Sequence, residues 1–114
     1  MKINNVEYDI DFTDADFIER MDEGIKKVQE KVKTFKNEDL SVAEGIRQEC
    51  KIIKDFFDYV LGEGASKEIF GEKNSLNLCV KAFEDIVEAK EQQLKSFEEK
   101  INKYSPDRLM RWIY

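Results

Sequence analysis

The side chains that most often do chemistry are sparse in this chain. Its 114 residues include no histidine, which removes the commonest general base and the commonest zinc ligand. Carboxylates remain in quantity. Asp55 and Asp58, with Glu49 upstream, fall on a predicted helix. Two acids three residues apart could bind a metal or share acid–base work. Lys51 and Lys54 share that stretch, so we read it as the charged outer face of an amphipathic helix. Gly62-Glu63-Gly64 lacks the spacing of a nucleotide-binding loop and reads as a helix terminator. Cys50 and Cys79 lie on different predicted helices without CxxC spacing, and both read as small buried thiols. No enzymatic activity, metal or cofactor is expected.

Binding is the chemistry left, and three surfaces could supply it. The first is acidic: Glu7, Asp9, Asp11, Asp14, Asp16, Glu19, Asp22 and Glu23, with Arg20 the only base among them. Such a face could meet a basic partner or mimic a phosphate backbone. A strand face followed by acids at a helix N-terminus gives the same pattern, and the helix dipole alone accounts for Asp14 and Asp16. The second surface is the terminal RLMRWIY, where Leu109, Met110, Trp112 and Tyr114 are types suited to interface cores. It either contacts a partner or docks back and plugs the core. The third is the seam of Ile18, Met21, Ile25, Val28, Val32 and Phe35, spaced three and four apart. Its members either line the monomer core, make a dimer seam, or leave a groove for a partner's amphipathic helix, with Ile25, Val28 and Val32 as its contacts.

These residues need elements to position them. Residues 2–12 read as a β-hairpin: Asn4-Asn5 suits a tight turn, and Val6, Tyr8, Ile10 and Phe12 alternate with acids. Helices are predicted over about 14–36, 41–61, 65–70, 75–103 and 106–113. Thr13, with Asp16 three residues on, is the expected first cap, Phe12 and Phe17 its hydrophobic staple, and Asn37 its stop. Gly24 inside that helix marks a close helix approach. Ser41 with Glu44 forms the second capping box, and the apolar stripe that follows is broad enough to be buried on two sides. Asn74 or Ser75 caps the longest helix. A polar patch from Glu88 to Gln93 interrupts its seam, so its second half either projects or pairs with the distal half of the first helix. Ser105-Pro106 restarts a last short helix. The expectation is one mainly α domain over 1–114: an N-terminal β-hairpin, a three-helix core and a short C-terminal helix.

Composition sets the remaining bounds. Net charge is −6, which disfavours nonspecific nucleic-acid binding. No run approaches the ~18 apolar residues of a membrane span. The N-terminus has no apolar leader core, so a cytoplasmic location is expected.

Three segments then point further: VEYDIDFTDAD, AEGIRQECKIIKDFFDYVLGEGASKEIFGEKNSLNLCVKAFEDIV, and KYSPDR. Together they resemble a family of small proteins encoded among the tail genes of tailed bacteriophages and of prophages of Gram-positive bacteria. Its members are regarded as tail assembly chaperone-like. The resemblance implies a non-enzymatic protein of the host bacterial cytoplasm. It would bind the long helical tape-measure protein, or a tail-tube protein, and keep it from aggregating before assembly. A different class of function rests on the acidic face instead: a phage-encoded inhibitor of a host defence or nucleic-acid enzyme, acting through Glu7, Asp9, Asp11 and Asp14.

Overall fold

The computed structural model describes residues 1–35 and 39–104. Two short strands come first, β1 (Lys2–Ile3) and β2 (Val6–Glu7). Four helices follow: α1 (Ala15–Thr34), α2 (Val42–Leu61), α3 (Ala65–Phe70) and α4 (Leu76–Lys103). The architecture is the expected one, mainly helical behind an N-terminal hairpin. Asn37 and the helix expected over 106–113 lie outside the described residues.

Asn4 and Asn5 take φ values of 47° and 69°, the paired left-handed conformation of the turn that closes two-residue hairpins. Ile3 thereby pairs with Val6 and Lys2 with Glu7. The strand expected to reach Phe12 ends at Glu7. Its alternation persists all the same, with Ile10 half-buried, Phe12 buried, and Asp9 and Asp11 exposed. The period of two reports which side chains lean on the helices, not a backbone ladder. Asn4 Nδ2 donates to the Ile69 carbonyl (2.7 Å) and the Tyr8 hydroxyl to Glu68 (3.0 Å), fastening the hairpin to α3.

The first cap also falls elsewhere. Asp14, not Thr13, caps α1 by accepting the Asp16 N–H (3.1 Å). Thr13 is already engaged, its N–H and hydroxyl both donating to Asp11 (2.9 and 2.5 Å). A local Asx turn has taken its hydroxyl, and the capping role passes to the next residue. Phe12 and Phe17 meet edge to face, 5.7 Å between ring centres. Ser41 caps α2 as expected (3.1 Å to the Glu44 N–H), but the Glu44 carboxylate takes Arg47 and leaves the box half closed. Ser75 caps α4.

The helix α2 is central: α1, α3 and α4 all pack on it. Its Phe56 and Phe57 start a chain of edge-to-face rings, Phe56 to Phe83 of α4 (4.9 Å) and Phe57 to Phe70 of α3 (5.6 Å). Gly24 of α1 is the close approach: a Cβ there would lie 3.0 Å from the Phe56 ring and from Val60 Cγ2. Of the two courses open to the end of α4, projection is realised. Lys90 pairs with Asp22 near the start of α1 (2.9 Å). From Glu91 to Tyr104 every residue but half-buried Leu94 is exposed, along a body 66 Å in its long dimension.

Two glycines inside helices should therefore respond oppositely to alanine. Alanine is favoured over glycine by up to ~1 kcal/mol in a helix interior. At Gly45 nothing would meet the new methyl within 4 Å, so Gly45→Ala should stabilise by about 0.5–1 kcal/mol. At Gly24 the methyl meets Phe56, itself wedged between Phe57 and Phe83, so Gly24→Ala should destabilise by about 1–3 kcal/mol. Urea unfolding of the two variants checks both signs.

Candidate functional site

The sequence-predicted surfaces fare differently. Leu109, Met110, Trp112 and Tyr114 lie outside the described residues. Glu7, Asp9, Asp11 and Asp14 are all exposed, but three of them are engaged locally. Glu7 pairs with the N-terminal ammonium (3.1 Å), Asp11 holds Thr13, and Asp14 caps α1. The two donors from Thr13 hold the Asp11 carboxyl below the usual carboxylate range. Further along, Asp22 is paired with Lys90, and Glu23 accepts a hydrogen bond from the Tyr59 hydroxyl. That bond pushes the Tyr59 phenol up.

The carboxylates weighed for chemistry are structural too. Asp58 accepts from the backbone N–H and hydroxyl of Ser66 (2.8 and 2.9 Å), tying the start of α3 to α2. Asp55 takes Lys51 (3.1 Å) and Lys31 (3.6 Å), bridging α2 and α1. Glu49 stands apart from both, on the edge of an apolar groove.

That groove is where the apolar seam of α1 has gone. Met21 and Gly24 face α2 and are buried. Val28 and Val32, with Phe35 beyond them, form one wall of a groove of about 310 Å³. Ile52 and Ile53 of α2 make the floor, and Leu76, Val80 and Phe83 of α4 the opposite wall. Val32 is 58% exposed and Val80 38%, so both walls present apolar surface to water. Ile25 does not line the groove; it is half-buried against the core. A second, larger hollow of about 660 Å³ shares Phe35 and Ile52 but opens among Lys31, Lys51, Asp39 and Asp55. Its lining mixes charged side chains with Phe35, Leu40 and Ile52, and the Asp55 carboxylate is already paired with both lysines.

Helix period alone could nominate Val28 and Val32. It could not nominate Leu76, Val80 or Phe83 as their counterparts, because that juxtaposition comes from α1 and α4 packing on one helix. The signal available was Val80, an apolar residue at the edge of the stripe formed by Cys79, Phe83 and Ile86.

The fold and the groove define a small helical domain with an open apolar furrow. The chain belongs to a family of unknown function, DUF6673, which it matches over residues 4–112. No curated protein and no solved structure matches it. Among the described residues no helix is long and apolar enough to cross a membrane.

Two groups around the core are held neutral. Burial, and then a hydrogen bond with Cys50, push the Cys79 thiol up to about 12. Burial, and then the Glu68 carboxylate, push the Tyr8 phenol up to about 12. Unfolded, the same groups ionise near about 8.5 and 10. Their contribution to stability is therefore complete below those values and is lost as pH rises toward about 12. The free energy of unfolding should be level near neutrality and fall above about pH 9. Cys79→Ala should remove the earlier part of that decline and Tyr8→Phe the later part. Urea titrations across alkaline pH check it, and an unchanged profile in both variants would refute the assignment.

Proposed function

We propose that this chain is a non-enzymatic, tail assembly chaperone-like protein. It holds an amphipathic helix of the tape-measure protein, or of another tail protein, in the groove between α1 and α4. The observation that carries the reading is the groove itself. Its walls and floor are apolar except for Glu49, and aliphatic side chains on both walls face water. Helical partners lay residues i, i+3, i+4 and i+7 into grooves of this kind. The resemblance of the middle segment to tail-gene proteins supplies the class of partner. Such a partner is long, helical and prone to aggregate, so covering its apolar face keeps it in solution until assembly.

The test uses the full chain and a helical segment of the tape-measure protein. Val32→Asp and Val80→Asp place a charge on each wall at exposed positions, where substitutions cost the fold less than about 0.5 kcal/mol. Each should weaken binding on the order of 30-fold or more, while Asp9→Asn with Asp11→Asn changes little. Binding should vary weakly with salt. If the wall variants bind as well as the parent, the groove reading is wrong. If binding instead disappears with the two asparagines and falls steeply with salt, the acidic face is the site, and an acidic inhibitor of a host enzyme becomes the better description.

A further inference from the structure

The exposed half of α4 carries a seam of its own. Leu94, Phe97, Ile101 and Tyr104 are spaced three, four and three apart. Phe97 is 45% exposed, Ile101 53% and Tyr104 70%. The groove wall on the first half of the same helix is Leu76, Val80 and Phe83, spaced four and three. Read backwards, Ile101, Phe97 and Leu94 have that same four-and-three spacing. Two copies of α4 laid antiparallel can therefore set Leu76 against Ile101, Val80 against Phe97 and Phe83 against Leu94 at once. All belong to one heptad frame continued through Val87 and Lys90, so each contact joins the two alternating seam positions, as antiparallel helix pairs require.

We propose that two copies of this chain pair through α4 in this register, about a two-fold axis between Glu88 and Ala89. The far half of each α4 then lies in the other copy's groove. This goes beyond the chaperone reading and does not depend on it. The pairing is self-complementary, as a two-fold contact must be.

Length and area suit a second copy, and charge suits it in part. The 28 residues of α4 span about 42 Å. A contact that long and two helix spacings wide, each about 10 Å, covers on the order of 800 Å² per copy, the size of a stable interface. Along one flank Glu98 falls beside Lys81 of the second copy, and Glu84 beside Lys95. Glu84 also nears Glu91 of the second copy, a like-charge contact that limits affinity and makes the dimer a dissociable one. At the axis Lys90 is directed away, its ammonium held by Asp22, while its methylene stem stays in the seam.

Sedimentation equilibrium of the full chain should show a monomer–dimer equilibrium. Phe97→Glu combined with Ile101→Glu changes only exposed residues and should weaken the dimer on the order of a hundredfold or more, because each change is felt twice. Those positions lie outside the groove, so binding of a tape-measure helix by this variant should survive, which separates failure of the dimer from failure of the chaperone reading. The register has its own test. Val80→Cys with Phe97→Cys places two thiols about 25 Å apart on one helix, too far to join within a copy. Mild oxidation should give a covalent dimer from the double variant and none from either single one. A parent chain that stays monomeric, a dimer untouched by the two glutamates, or a double variant that fails to cross-link overturns the proposal.

Discussion

Everything else in this structure is arranged around the contact of Phe56 and Phe57 with their neighbours. The two rings sit on consecutive residues of α2 and meet each other edge to face, 5.2 Å apart. Each then reaches a different partner, Phe83 on α4 and Phe70 on α3. Edge-to-face pairs add about 0.5–1.5 kcal/mol beyond the area they bury, but here their geometric effect matters more. They fix α4 and α3 on two sides of α2 and leave one approach to Phe56 for α1. That approach admits no side chain, which is why Gly24 stands there.

The groove follows from this constraint. Both α1 and α4 are held against α2, and they run in opposite directions. Asp22 meets Lys90 at one end, while Val28, Val32 and Phe35 face Leu76, Val80 and Phe83 at the other. At the first end an ion pair joins the two helices; at the second a furrow floored by Ile52 and Ile53 separates them. An isolated apolar side chain on a surface needs no explanation, whereas a contiguous apolar patch with two walls and a floor is the candidate this fold offers for an interaction surface. The acidic run lacks that standing. Asp11, Asp14, Asp22 and Glu23 each have a partner within the chain: a turn and a helix cap account for the first two, an ion pair with Lys90 and a hydrogen bond from Tyr59 for the others.

Local chemistry was the legible part of the sequence. Ser41 at a helix start, the Asn74-Ser75 pair at another, Gly62 at a helix end, the Asn4-Asn5 turn and the breadth of the α2 stripe are all readable, because each depends on a few neighbouring residues. Gly24 was readable as a close approach but not as an approach to Phe56. Local rules mislead where two of them compete. Thr13 and Asp14 are both good caps, and the choice was made by Asp11, which had already taken the Thr13 hydroxyl. Alternation from Val6 to Phe12 reads as a paired strand, whereas half of it reflects burial against helices. The site was legible only on one wall. Its other wall depends on which face of α4 turns toward α1, a long-range fact that helix period does not contain.

The groove and the free half of α4 bear on each other physically. A surface that can be covered by a second copy is withdrawn from any other helix by the fraction of chains that are paired, and the apparent affinity for a partner falls by that fraction. The withdrawal depends on concentration, being greatest where the protein is abundant and relaxing on dilution. A partner with a longer uninterrupted seam has an advantage, because Lys90 interrupts the apolar seam of α4 at its middle. Leaving that gap in α4 keeps the self-pairing weak enough to be exchanged. An uninterrupted apolar seam there would instead favour a permanent dimer and a closed groove.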